Sequence, residues 1–188
     1  MKKVCIFLAE GFEEIEALTV VDLLRRAAID IEMIAVTGSK EVTGSHNITV
    51  LADELLEEID FDTVDMLVLP GGMPGTKNLE ANDKLMNELD DFYKKGKDIA
   101  AICAAPRILG HRGMLKGIKA CSFPEFESHL DGAEVSKNPV ETAGNIITGR
   151  GMGCAIDFGL AIIEKIKGRE EADTLAAKIV YGHYGWKG

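Results

Sequence analysis

The chain has 188 residues, which on a prior of roughly 100–200 residues per domain fits one domain over 1–188 with a sizeable buried core. Hydrophobic residues make up 46% and charged residues 28%, a globular balance that excludes disordered and fibrous classes. The formal charge of -10, from 31 acidic against 21 basic side chains, repels phosphate backbones and anionic lipid, and no basic run exceeds Lys94-Lys95 or Arg25-Arg26, so neither nucleic acid nor membrane is an expected partner.

Met1-Lys2-Lys3 leads straight into a short apolar strand over 4–8. A helical pattern over 13–28 follows, then a strand over 31–36 and a small hairpin over 41–51 broken by Gly44 and Ser45. Strands over 64–69, 99–102 and 146–148 then alternate with helical patterns over 82–95 and 155–167. Residues 122–139, with Phe123-Pro124 and Gly132, read as irregular, and a closing helix over 169–181 precedes the tail Gly182-His183-Tyr184-Gly185-Trp186. Strands that are apolar on both faces, alternating with helices, predict an α/β doubly wound parallel sheet sandwich. No apolar stretch approaches the length of about 20 residues that crosses a bilayer, which predicts a cytoplasmic protein. The cysteines Cys5, Cys103, Cys121 and Cys154 show no CxxC or CxxxC spacing, so neither a metal site nor a disulfide framework is expected.

In such a sheet, ligands sit outside the carboxyl ends of the strands. Cys103 follows the strand Ile99-Ala100-Ala101-Ile102 directly and precedes Ala104-Ala105-Pro106, small residues that permit a tight turn and a proline suited to a first helical turn. That is nucleophile-elbow placement. A helix beginning there favours thiolate over thiol, and predicts a Cys103 pKa well below the free value, near 5–6, with a buried structural cysteine as the alternative.

Glu16 lies within the apolar stripe of Val20, Leu23, Leu24 and Ala27, whereas Asp22, Arg25 and Arg26 fall opposite. A carboxyl aimed at the core either keeps its proton or finds a specific partner, and a protonated Glu16 can donate to a cysteine thiolate. Glu13 shares this face one turn earlier and joins the substrate-facing set, with stabilisation of the helix dipole as its simpler role. Gly71 and Gly72, and Ala104 after the cysteine, offer backbone amides for an oxyanion. The run Gly149-Arg150-Gly151-Met152-Gly153 lacks the second part of a dinucleotide loop, and no cofactor is expected. The histidines His46, His111, His129 and His183 complete no triad that spacing can identify.

Four motifs carry a resemblance: Ala9-Glu10-Gly11-Phe12-Glu13-Glu14-Ile15-Glu16-Ala17; Val68-Leu69-Pro70-Gly71-Gly72; Ala100-Ala101-Ile102-Cys103-Ala104-Ala105-Pro106; and Thr148-Gly149-Arg150-Gly151 with Ile156-Asp157-Phe158. In this order the chain resembles the ThiJ/PfpI superfamily, closest to the branch that holds the parkinsonism-associated deglycase and bacterial YajL. The resemblance implies a flavodoxin-like sandwich, a homodimer, and an elbow cysteine hydrogen-bonded to the helix-one glutamate, here Cys103 and Glu16. It also implies cofactor-free glyoxalase or deglycase chemistry on methylglyoxal and its adducts with thiols and amines, or oxidation sensing through cysteine sulfinate. Peptidase relatives carry histidine after the cysteine, where this chain has Ala104. Many deglycase-branch members place a histidine before the proline of the irregular region, where this chain has Phe123.

Overall fold

The computed structural model describes residues 2–182. In chain order the elements are β1 (Lys3–Leu8), α1 (Glu14–Arg26), β2 (Asp30–Ala35), β3 (Glu41–Thr43), β4 (Thr49–Leu51), β5 (Glu54–Leu55), β6 (Met66–Leu69), α2 (Gly75–Glu80) and α3 (Asp83–Lys94). They continue with β7 (Asp98–Ile102), α4 (Pro106–His111), β8 (Lys119–Ala120), β9 (Glu134–Val135), β10 (Val140–Ala143), β11 (Ile146–Gly149), α5 (Ala155–Lys167) and α6 (Arg169–Lys178).

Seven strands form one sheet in the order β10-β11-β7-β6-β1-β2-β5. All neighbours are parallel except β10, which pairs antiparallel with β11. Side chains alternate across a strand, and β1 shows what that does to the core. Val4, Ile6 and Leu8 join Val20 and Leu24 of α1 and Phe158 and Ile162 of α5 on one face. Cys5 and Phe7 join Leu85, Leu89 and Phe92 of α3 and Ile108 of α4 on the other. Because both faces are covered, the central strands need apolar residues at every position, which is why they read as continuous runs.

From β1 the chain moves to β2 on one side, and it returns through β6 on the other. The direction of winding therefore switches between β1 and β6, and ligands favour the strand ends at such a switch. The turns after β1, β6 and the adjacent β7 carry Glu13 and Glu16, Gly71 and Gly72, and Cys103.

The hairpin is present as β3 and β4, antiparallel with Glu41 opposite Leu51. Within the stretch expected to be irregular, Pro124–His129 forms a 3-10 helix and β9 pairs with β8 in a two-residue parallel ladder. Elements that short carry no hydrophobic period. The closing helix stops at Lys178, and Val180 takes a φ of 60°, incompatible with its continuation. Tyr181 instead donates its hydroxyl to Asp157 Oδ2 at 2.8 Å. The tail, including His183, lies outside the described residues. No helix among the described residues is long and apolar enough to cross a membrane.

Candidate active site

Cys103 occupies the turn after β7 with a φ of 64°, a left-handed conformation that costs a residue bearing a Cβ roughly 1–2 kcal/mol. Two long-range hydrogen bonds hold it there. Its N–H donates to Gly149 O at 2.9 Å, and its carbonyl accepts from Phe123 N–H at 2.9 Å. The end of β11 and the segment before the 3-10 helix thus impose the strained turn, which aims the thiol out of the strand end. Gly149 is required at this contact, since a Cβ there would lie 2.8 Å from Ile102 Cγ1. The glycine-rich run 149–153 therefore supports the elbow.

Glu16 is fully buried on α1. Its Oε2 accepts from Gly71 N–H at 2.8 Å, its side chain lies beside the Cys103 thiol, and its buried Oε1 has no hydrogen-bond partner among the described residues. Gly71 must be glycine for this pair to meet, because a Cβ would sit 2.5 Å from Glu16 Oε2 and 2.7 Å from Cys103 Cβ. The Gly71 amide, expected to serve a substrate oxygen, is instead committed to Glu16. The Ala104 and Gly72 amides lie beside the Cys103 sulfur and favour its anion. Glu13, expected among the substrate-facing residues, is the N-cap of α1: its Oε2 accepts from Glu16 N–H at 2.7 Å.

Burial pushes the Glu16 carboxyl up to about 7; the Glu13 charge adds to this, while the Cys103 and Gly71 hydrogen bonds oppose it. Burial also raises the Cys103 thiol, helped by the Glu16 charge and opposed by the Ala104 and Gly72 amides. Burial thus runs against the thiol pKa of about 5–6 expected from the helix N-terminus and a hydrogen bond from Glu16. The helix meant to acidify it, α4, has six residues and supplies little dipole. What the site contains is an acid–thiol pair that loses its first proton near pH 7.

Phe123 is partly exposed beside the elbow and brings no titratable group. His111 is hydrogen-bonded to Glu80 at 2.6 Å and to His129 at 3.0 Å, and no described histidine is hydrogen-bonded to Cys103. Sequence reasoning passed over Glu14, which is buried and accepts from His46 N–H at 2.7 Å. Its partner stands on a hairpin 32 residues away, beyond the reach of any helical period.

The DJ-1/PfpI family pattern matches residues 2–165, nearly the whole described chain. The chain belongs to the DJ-1/PfpI family. It is 38% identical over 175 residues to "Protein DJ-1 homolog B" of Arabidopsis thaliana, covering 93% of this chain and 40% of that protein. The chain thus spans less than half the length of that plant relative. It is 31% identical over 185 residues to "Glutathione-independent glyoxalase DJ-1" of Schizosaccharomyces pombe, covering 93% of this chain and 96% of that one. The structure of oxidized Toxoplasma gondii DJ-1 superposes with a TM-score of 0.93 at 34% identity, covering 97% of this chain and all of that one. The fold is the flavodoxin-like sandwich of DJ-1 proteins.

Proposed function

We propose that the protein is a cysteine-dependent, cofactor-free enzyme of glyoxalase or deglycase type, acting on methylglyoxal or its adducts with thiols and amines in cytoplasmic carbonyl and oxidative stress defence. The observation that carries this reading is the pairing of a fully buried Glu16 with a strained elbow Cys103 beside it. The glyoxalase name of the fission yeast relative supports it.

In the proposed reaction the Cys103 sulfur adds to the aldehyde carbon, and Glu16 relays the thiol proton to the carbonyl oxygen. The Ala104 and Gly72 amides stabilise the negative charge that develops on that oxygen before the proton reaches it. Glu16 then takes the proton from the former aldehyde carbon and returns it to the neighbouring ketone carbon, while the hydroxyl proton passes to the ketone oxygen, which leaves a lactoyl thioester. Water hydrolyses the thioester, lactate departs and the thiol is restored. One carbon is oxidised and its neighbour reduced, so no external redox partner enters.

The deciding measurement is lactate release. Many equivalents per chain are expected from the reduced wild type, and Cys103→Ser should be slower by about 1000-fold or more. A single stoichiometric modification without turnover would overturn the enzyme reading.

The oxidation-sensing reading draws on a different observation. Cys5 and Cys121 are fully buried, whereas Cys103 is partly exposed in the turn after β7, with the Ala104 and Gly72 amides favouring its anion. Mild peroxide should therefore convert Cys103 to sulfinate before it touches Cys5, Cys121 or Cys154. Peptide mapping that finds all four modified equally would sink this reading.

We also propose a homodimer. The outer face of α1 carries a groove of about 690 Å³ lined by Ile15, Leu18, Ile48, Ile156 and Ile179, with Ile15 and Ile48 half exposed. Light scattering should give twice the 20.3 kDa chain mass; a concentration-independent monomer would contradict it.

A further inference from the structure

We propose that Thr148 is a positioning residue for the Cys103 elbow and acts through its buried hydroxyl. The proposal builds on the enzyme reading above, since the elbow it serves carries the nucleophile of that reaction. Thr148 breaks the pattern of its strand. In β11, Ile147 packs with α1 and α5 on one face of the sheet, and Ile146 packs with α3 and α4 on the other. By alternation Thr148 shares the face of Ile146, opposite Ala101 of β7, and it is 1% exposed. A strand covered on both faces calls for an apolar residue here, and valine has the shape of threonine. A buried hydroxyl is costly unless it is hydrogen-bonded, so its partner identifies its role.

That partner is Cys121, which is itself fully buried. Cys121 N–H donates to Thr148 Oγ1 at 3.0 Å, and the Cys121 thiol donates to Thr148 O at 3.2 Å. The two segments that meet here are the two that grip the elbow. Gly149 follows Thr148, and its carbonyl accepts from Cys103 N–H at 2.9 Å. Phe123 lies two residues beyond Cys121, and its N–H donates to the Cys103 carbonyl, also at 2.9 Å. Cys103, Phe123, Cys121, Thr148 and Gly149 thus close a ring around a residue held at a φ of 64°. A strained conformation persists only where its surroundings over-determine it, and the Thr148–Cys121 contact fixes the distance between the two grips. A second link joins the same segments, Arg150 Nη2 to Glu127 Oε1 at 3.2 Å, but these side chains are 23% and 27% exposed. Water can replace either partner there, so the buried link outweighs the exposed one.

Thr148→Val keeps the volume and deletes the acceptor. The buried Cys121 N–H is then without a partner, and the segment 121–123 shifts to find one. That shift draws Phe123 N–H off the Cys103 carbonyl and lets the elbow relax, which carries the sulfur away from Glu16 and from the Ala104 and Gly72 amides. Misplacing a reacting atom by about 1 Å lowers the rate of the chemical step more than it weakens binding.

The test compares Thr148→Val with Thr148→Ser in the full chain. In the valine variant, kcat for lactate release should fall by about 10–100-fold while KM stays within about 3-fold. The pH midpoint for alkylation of Cys103, followed by peptide mass mapping, should move by about half a unit or more, which a loss of stability alone would not produce. Thr148→Ser keeps the hydroxyl and should stay within about 3-fold of wild type with an unmoved midpoint, as should Glu127→Gln, which breaks only the exposed link. If the valine variant does not fold, Phe123→Pro and Phe123→Ala decide. Phe123 is partly exposed at a φ of -59°, which proline adopts, so both variants lose the ring and only proline loses the N–H. The proline variant should alkylate with a shifted midpoint and the alanine variant with that of wild type. A wild-type midpoint in Thr148→Val, a serine variant as impaired as the valine one, or equal midpoints for the two Phe123 variants would each overturn the proposal. A wild type that releases no lactate would overturn the enzyme reading instead, and the alkylation midpoints would still decide the role of Thr148.

Discussion

The Glu16→Gln protein should release lactate at least about 100-fold more slowly than wild type at pH 7.5, yet melt at the same temperature or higher. The amide keeps the shape and can still accept from Gly71 N–H, as Glu16 Oε2 does at 2.8 Å. It cannot receive a proton from the thiol or deliver one to the reacting oxygen. Stability moves the other way because Glu16 carries a burial cost. Its carboxyl is raised from 4.5 to about 7, so the folded chain holds a proton that the unfolded chain has released. That contribution is fully present below pH 4.5 and is lost as pH rises through 7. It amounts to about 3 kcal/mol at most. Wild type should therefore lose stability between pH 4.5 and 8, whereas the variant should show a flatter dependence over the same range. Turnover in wild type should rise with pH through an apparent value near 7, where the acid–thiol pair gives up its first proton and becomes nucleophilic. A Glu16→Gln enzyme with wild-type rate and pH profile would assign the proton relay to another group.

That this pair could be read from the sequence at all follows from where its members stand. Cys103 ends a buried strand, and Glu16 interrupts an apolar helical stripe; both are violations of a local pattern, and such violations collect at functional sites. The parallel sheet was legible for the same reason, since β1, β6 and β7 are apolar on both faces. What stayed hidden depends on contacts between distant segments. Glu13 has the residue type of a site acid, and only the observed bond to Glu16 N–H shows it to be a cap. Gly71 looks like an open amide until Glu16 is seen to occupy it. The acidity of Cys103 was misjudged because spacing shows a following helix but neither its length nor the burial of the thiol. The buried state of Glu14 depends on His46 and on the missing Cβ of Gly44, neither of which any window around residue 14 contains.

Gly72→Ala should unfold the site as well as silence it. At this position φ is 92°, which charges an alanine roughly 1–2 kcal/mol before any contact is counted. The added Cβ would then lie 2.4 Å from Glu13 N and 2.6 Å from Gly11 O, and both are backbone atoms that no rotamer change can withdraw. Relief requires the turn after β6 to move away from the start of α1, which also removes the Gly72 amide from the sulfur and weakens the Glu13 N–H to Gly71 O bond of 2.9 Å. The combined loss should reach about 3 kcal/mol or more, or roughly 6–12 °C in melting temperature for a chain of this size. Gly113→Ala separates strain from collision. It too has a positive φ, 71°, but nothing lies within 4 Å of its added Cβ. That variant should lose only about 1 kcal/mol and keep wild-type turnover. Equal melting temperatures and equal turnover for the two variants would show that the contact between the β6 turn and the start of α1 is soft, and that the geometry at Cys103 does not depend on it.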